Sequence, residues 1–129
     1  MREKRTLLLV DDDEIQLSMA EYMLMGEYEV ITAKSGREAL ERLGKDFVPS
    51  LILLDVLMPG MDGWETYSKI RSINRLGDVP ILFLTALDEV QEEEYSQKIG
   101  AIDYIRKPFA KKDLLKRLED IIKTTYGSN

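Results

Sequence analysis

"LILLDVLMPGMDG" occupies residues 51–63. It opens on four apolar residues, sets Asp55 directly after them, and then enters the turn-forming series Met58-Pro59-Gly60-Met61-Asp62-Gly63. A continuous apolar run ended by Pro and Gly reads as a strand covered on both faces, because a strand with one wet face alternates apolar and polar residues. Strands of that kind belong to parallel sheets sandwiched between helices. The stretch therefore decides the expected fold class, and it raises a question: an acid stands where a covered strand ends.

Outward from it, the same kind of run recurs at Leu7–Val10, more weakly at Tyr28–Ala33, and at Ile81–Leu84 and Ile102–Ile105. Between the runs lies helical spacing. Ile15, Met19, Tyr22 and Met23 share one helical face. Ser35-Gly36-Arg37-Glu38 is a capping-box pattern leading into Ala39, Leu40 and Leu43. Tyr67, Ile70 and Ile73 suggest a third helix, Val90, Tyr95 and Ile99 a fourth, and Leu114, Leu115, Leu118, Ile121 and Ile122 a fifth. Five strands alternating with five helices require right-handed crossovers between parallel strands. The expected fold is a doubly wound α/β sandwich.

The totals fit one domain: 129 residues, 44% hydrophobic and 33% charged. No apolar run reaches the roughly 18 residues of a membrane span. "MREKRT" leads into only four apolar residues before three acids, too few for the core of a signal peptide. The absence of cysteine rules out disulfides and thiolate chemistry and suits a cytoplasmic protein. With 24 acids, 18 bases and a net charge of −6, the chain lacks the basic stripe of a direct nucleic-acid binder. It also has no histidine, which removes the commonest general base, zinc ligand and phosphoryl carrier.

Ligands of doubly wound sheets sit beyond the carboxyl ends of the strands. At those ends stand Asp11, Asp12 and Asp13, then Asp55, then Thr85, then Lys107 with Pro108 and Phe109. Gathered carboxylates repel one another unless a cation joins them. Hard oxygen ligands suit Mg²⁺, and Lys107 adds a fixed positive charge. Asp55, beside its turn, is placed to act as a nucleophile toward an incoming phosphoryl group.

"LLLVDDDE", "LILLDVLMPGMDG", "ILFLTA" and "GAIDYIRKPF", in this order and spacing, resemble the receiver domain of two-component response regulators. The likeness runs from about Arg5 to about Thr124, so residues 1–129 are expected to be a single receiver domain with its core at about 5–124. It implies a flavodoxin-like sheet of strand order 2-1-3-4-5. It implies that Asp55 accepts a phosphoryl group from the phosphohistidine of a cognate histidine kinase or phosphotransfer protein. Asp12 would bind Mg²⁺ (with Mn²⁺ able to substitute) directly, Asp11 mostly through water, and Leu57 through its backbone carbonyl. Lys107 would contact a phosphoryl oxygen and precede a cis proline. Thr85 and Tyr104 would form the switch pair acting on the surface of the fourth helix, fifth strand and fifth helix. Activity would be limited to self-phosphotransfer and slow self-dephosphorylation, without membrane or direct nucleic-acid binding.

Plainer roles compete at some positions. Asp13 and Glu14 fit the first turn of a helix, and Asp62 a turn or cap. Glu92-Glu93-Glu94 fits a solvated face, and Trp64 fits core, surface or partner anchor equally. A haloacid-dehalogenase-type phosphatase also uses strand-D-x-D, which Asp11-Asp12-Asp13 satisfies, but Asp55 precedes both Thr85 and Lys107, the reverse of that family's order. A flavin mononucleotide binder would need phosphate-cradling amides where three aspartates stand. A degenerate receiver that takes no phosphate is the remaining alternative. Leu57 and Leu87 lie two residues past Asp55 and Thr85, where similar receivers carry water-positioning polar groups. A long-lived phosphorylated form is expected from these two leucines.

Overall fold

The computed structural model describes residues 4–44, 46–86 and 103–127. In chain order these form β1 (Thr6–Val10), α1 (Glu14–Leu24), β2 (Glu29–Ala33), α2 (Gly36–Leu43), β3 (Leu51–Asp55) and α3 (Gly63–Arg71). A 3₁₀ turn (Asn74–Leu76), β4 (Ile81–Thr85), β5 (Tyr104–Arg106) and a C-terminal helix α4 (Lys111–Tyr126) complete them. The helix expected around Val90, Tyr95 and Ile99 lies outside the described residues, as do Glu92–Glu94, Leu87 and the Ile102 start of the expected fifth strand.

The five strands are parallel in the order β2-β1-β3-β4-β5. Continuous apolar runs have a simple reason here: the sheet is covered on both faces, so each strand sends alternate side chains into two cores. Leu8, Val10, Ile52, Leu54, Ile81 and Phe83 pack on the side of α2 and α3. Leu7, Leu9, Leu51, Leu53, Leu82 and Leu84 pack on the side of α1 and α4, with Leu17, Leu24, Leu114 and Leu118. Each fully buried Leu, Ile or Phe contributes roughly 1.5–3 kcal/mol over its exposed state.

The helix starts follow local chemistry. Asp13 caps α1, accepting from Ile15 N and Gln16 N. Ser35 caps α2 through Glu38 N at 3.0 Å, while the Glu38 carboxylate reaches Lys34 N at 3.3 Å. Asp62 caps α3 through Glu65 N at 2.9 Å, the structural role expected of it. Both sheet edges are partly covered by arginines. Arg42 Nε donates to Thr32 O on β2 at 2.9 Å, and Arg117 Nη1 donates to Tyr104 O on β5 at 2.7 Å.

One helix turns a different face to the core than its spacing suggested. In α1 the buried residues are Leu17, Ala20 and Leu24, with Met23 partly buried. Ile15 and Tyr22 are 74% and 76% exposed, and Met19 is also exposed. The helix is apolar on more than one side, and the side carrying Leu17, Ala20 and Leu24 joins the core with Leu7, Leu9, Leu114 and Leu118. Ile73 is a second small departure, since α3 ends at Arg71 and Ile73 packs from beyond it.

Candidate functional site

The strands β1, β3 and β4 each end one residue beyond the last, which brings their final residues to one crevice. Val10 pairs with Leu54, and Asp55 with Leu84. Asp11 N donates to Ala33 O at 3.1 Å, and Val56 N to Leu84 O at 3.0 Å, so the ladder holds both acids in place by backbone bonds. Lys107 arrives from the far edge, its N–H bonded to Thr85 O at 2.7 Å. The Lys107–Pro108 peptide bond is cis.

Asp11 and Asp55 are buried, Asp55 at 4% exposure, while Asp12 is exposed. Oxygens of Asp11, Asp12 and Asp55 lie within 4.8 Å of one another, the one group among the described residues with the make-up of a cation site. Each Asp11 oxygen accepts one bond: Oδ1 from Asp13 N at 3.0 Å and Oδ2 from Lys107 Nζ at 2.7 Å. Lys107 Nζ also approaches Asp55 Oδ1 at 3.4 Å. Burial pushes the Asp55 carboxyl up to about 7, with Asp11 adding to the rise and the Lys107 ammonium opposing it. The donor set suits a small hard dication, which takes one or two carboxylates and keeps water on its other positions.

The turn after Asp55 is shaped by two glycines. Gly60 has φ +73°, in the left-handed region that favours glycine. A Cβ on Gly63 would overlap the Asp55 carbonyl oxygen and stand 2.8 Å from Val56 Cα, while Gly63 N donates to Val56 O at 2.9 Å. The start of α3 is thus pressed against the backbone that carries Asp55.

Of the other residues singled out by sequence, Thr85 is buried at the end of β4, opposite Arg106. Tyr104 is 40% exposed at the start of β5, opposite Phe83 and so two residues short of the Thr85 level. Leu57 is 48% exposed beyond Asp55. Glu14 pairs with Lys34 at 2.6 Å on the surface. Trp64, whose place the sequence left open, packs on Phe83 with ring centroids 4.8 Å apart. Sequence reasoning missed Gln16, whose Oε1 accepts from Lys107 Nζ at 2.6 Å.

A family model described as the response regulator receiver domain matches residues 7–119. The chain belongs to that family. This receiver is 40% identical over 122 residues to a probable transcriptional regulator, ycf27, of Porphyra purpurea, covering 94% of this chain and 49% of that protein. It is 40% identical over 120 residues to the response regulator MprA of Mycobacterium leprae, covering 92% and 51%. The receiver thus spans about half the length of the curated relatives it matches. Among solved structures it is similar to a putative response regulator from Chloroflexus aurantiacus (38% identity, TM-score 0.83, covering 93% of this chain and 98% of that one). It is also similar to the receiver domain of the sensor histidine kinase PA1611 from Pseudomonas aeruginosa (28%, TM-score 0.83, 98% and 100%), which was solved with a magnesium ion coordinated in its active-site cleft. The sandwich and strand order expected of a receiver are those observed. The phosphatase alternative gains no support. No described helix of this receiver is long and apolar enough to cross a membrane.

Proposed function

We propose that this receiver is a phosphoacceptor switch, and that residues 1–129 act as one receiver domain. The observation that carries the reading is the buried Asp55 carboxylate, set 3.4 Å from the Lys107 ammonium and grouped with Asp11 and Asp12. An Asp55 oxygen attacks the phosphorus of a phosphohistidine on a histidine kinase or phosphotransfer protein. The P–O bond forms as the P–N bond breaks, and the electron pair returns to the imidazole. Asp12, Asp55 and the Leu57 carbonyl would hold Mg²⁺ or Mn²⁺ directly, with Asp11 reaching it mostly through water. The ion, when bound, supplies positive charge against the phosphoryl oxygens. Lys107 meets the same charge from the β5 side and stabilises the acyl phosphate once formed.

The magnesium coordinated by the Pseudomonas receiver supports this assignment of the acidic group. Phosphorylation then shifts a two-state equilibrium in which Thr85 moves toward the phosphoryl group and the exposed Tyr104 ring turns inward. The protein is a signalling module of the cytoplasm and not a turnover enzyme, and its acidic surface does not itself bind nucleic acid. Incubation with acetyl phosphate and Mg²⁺ tests the reading. A gain of one phosphoryl group per chain, lost in Asp55→Asn, is the expected result. No such gain would leave a degenerate receiver, and repeated Asp11-dependent turnover of phosphate esters would leave a phosphatase.

A further inference from the structure

Lys107 is held by more partners than a strand-end lysine requires. Its ammonium has three N–H donors and no acceptor. Asp11 Oδ2 takes one at 2.7 Å and Gln16 Oε1 a second at 2.6 Å, which leaves one for the 3.4 Å approach to Asp55 Oδ1. Because lysine only donates, Gln16 must present its amide oxygen here.

Gln16 is the third residue of α1, the position from which a glutamine commonly turns back to bond the N–H of the capping residue. That N–H, on Asp13, already donates to Asp11 Oδ1 at 3.0 Å, and Asp13 Oδ1 accepts from Gln16 N at 3.1 Å. The Gln16 side chain is therefore released from capping and spans to the loop between β5 and α4. The cleft it crosses, about 330 Å³, is walled on the α1 side by Gln16, Met19, Ala20 and Met23, and Gln16 alone among them carries a side-chain oxygen. Without it the flexible lysine stem has no polar anchor on that wall.

We propose that Gln16 is a positioning residue for phosphoryl transfer to Asp55. Together with Asp11 it fixes the Lys107 ammonium so that the remaining N–H faces the phosphoryl oxygens as the new P–O bond forms. The role acts through Lys107 and rests on the reading of Asp55 given above.

Gln16→Met keeps the length of the side chain and removes the acceptor. With acetyl phosphate and Mg²⁺, the Asp55 oxygen attacks phosphorus and acetate leaves with the electrons of the broken P–O bond. The rate constant for this mass gain should fall about five- to tenfold in Gln16→Met, the scale of a small loss of alignment. In a Lys107→Ala background the same substitution should have no further effect, since coupled residues are non-additive. In protein without metal or phosphodonor, the Lys107 ammonium ¹⁵N signal should be rigid in the wild type and averaged in Gln16→Met. An undiminished rate, an equal fall in both backgrounds, or an unchanged ammonium signal overturns the role of Gln16. If the wild type takes up no phosphoryl group that Asp55→Asn abolishes, the Asp55 reading fails and this inference falls with it. If that uptake occurs but Gln16→Met matches the wild type, only Gln16 is wrong.

Discussion

Asp55 is a carboxylate whose ionisation its own surroundings oppose. Burial and Asp11 raise its pKa to about 7, against the pull of Lys107. A raised value on an acid means that the folded chain prefers the proton. The resulting penalty is absent below the unfolded value near 4, grows as pH climbs toward 7, and is complete above it. Metal-free wild type should therefore lose stability relative to Asp55→Asn across that window, by at most roughly 4 kcal/mol. Urea midpoints measured from acid to mildly alkaline pH check this, and parallel curves for the two proteins would contradict it. Leu57, half exposed beside the acid, offers nothing to orient an attacking water. The acyl phosphate should persist well beyond seconds at neutral pH, and Leu57→Asn should shorten its lifetime about three- to tenfold, at the low end of a general-base effect. Decay followed by mass spectrometry decides it. Asp11, Asp12, Asp55 and Lys107 were all legible in sequence, because each stands within two residues of the end of an apolar run. Gln16 was not, since its partner lies far along the chain and its spacing marks only a helix.

Among the elements, α1 shows where periodicity stops being decisive. Ile15, Met19 and Tyr22 have helical spacing, yet Leu17, Ala20 and Leu24 face the sheet. Two apolar stripes on one helix fit the same pattern, and packing against the sheet and α4 selects between them. Leu17→Ala should cost about 2–4 kcal/mol, the range for emptying a packed leucine site. Met19→Ala should change stability by less than about 0.5 kcal/mol, as for an exposed residue. Equal losses in chemical denaturation would restore the other face. At the start of α3, Gly63 lies against the Asp55 and Val56 backbone. Gly63→Ala has no flexible neighbour to displace, so it should cost about 1–3 kcal/mol through overpacking and slow phosphorylation by moving Asp55. Thermal melts with the acetyl phosphate assay read both effects. The caps at Ser35 and Asp62 were legible because capping is local, involving bonds three residues away, whereas Asp13, expected in the first turn of its helix, is the cap that precedes it.

For the whole molecule, the parallel order β2-β1-β3-β4-β5 puts β1 and β3 side by side at the centre and so gathers three carboxylates in one crevice. Their repulsion is a cost of the metal-free fold. Saturating Mg²⁺ should stabilise the protein by about 2.7 kcal/mol at a hundredfold excess over the dissociation constant. Asp12→Asn should lose most of that gain, and chelation should reverse it; a melting temperature indifferent to Mg²⁺ would count against the site. The sequence by itself determined the α/β class, the strand runs, the helix starts and the acids and lysine that crowd one end of the sheet. These follow from periodicity and from bonds between near neighbours, which a linear reading contains. Only the tertiary structure decided which stripe of α1 is buried, that Trp64 packs on Phe83, that Gly63 admits no side chain, and that Gln16 holds Lys107. Each of these depends on the shape and burial that distant segments impose on one another. The raised pKa of Asp55 belongs with them, because water is excluded from that carboxylate by the assembled fold and not by its neighbours in sequence.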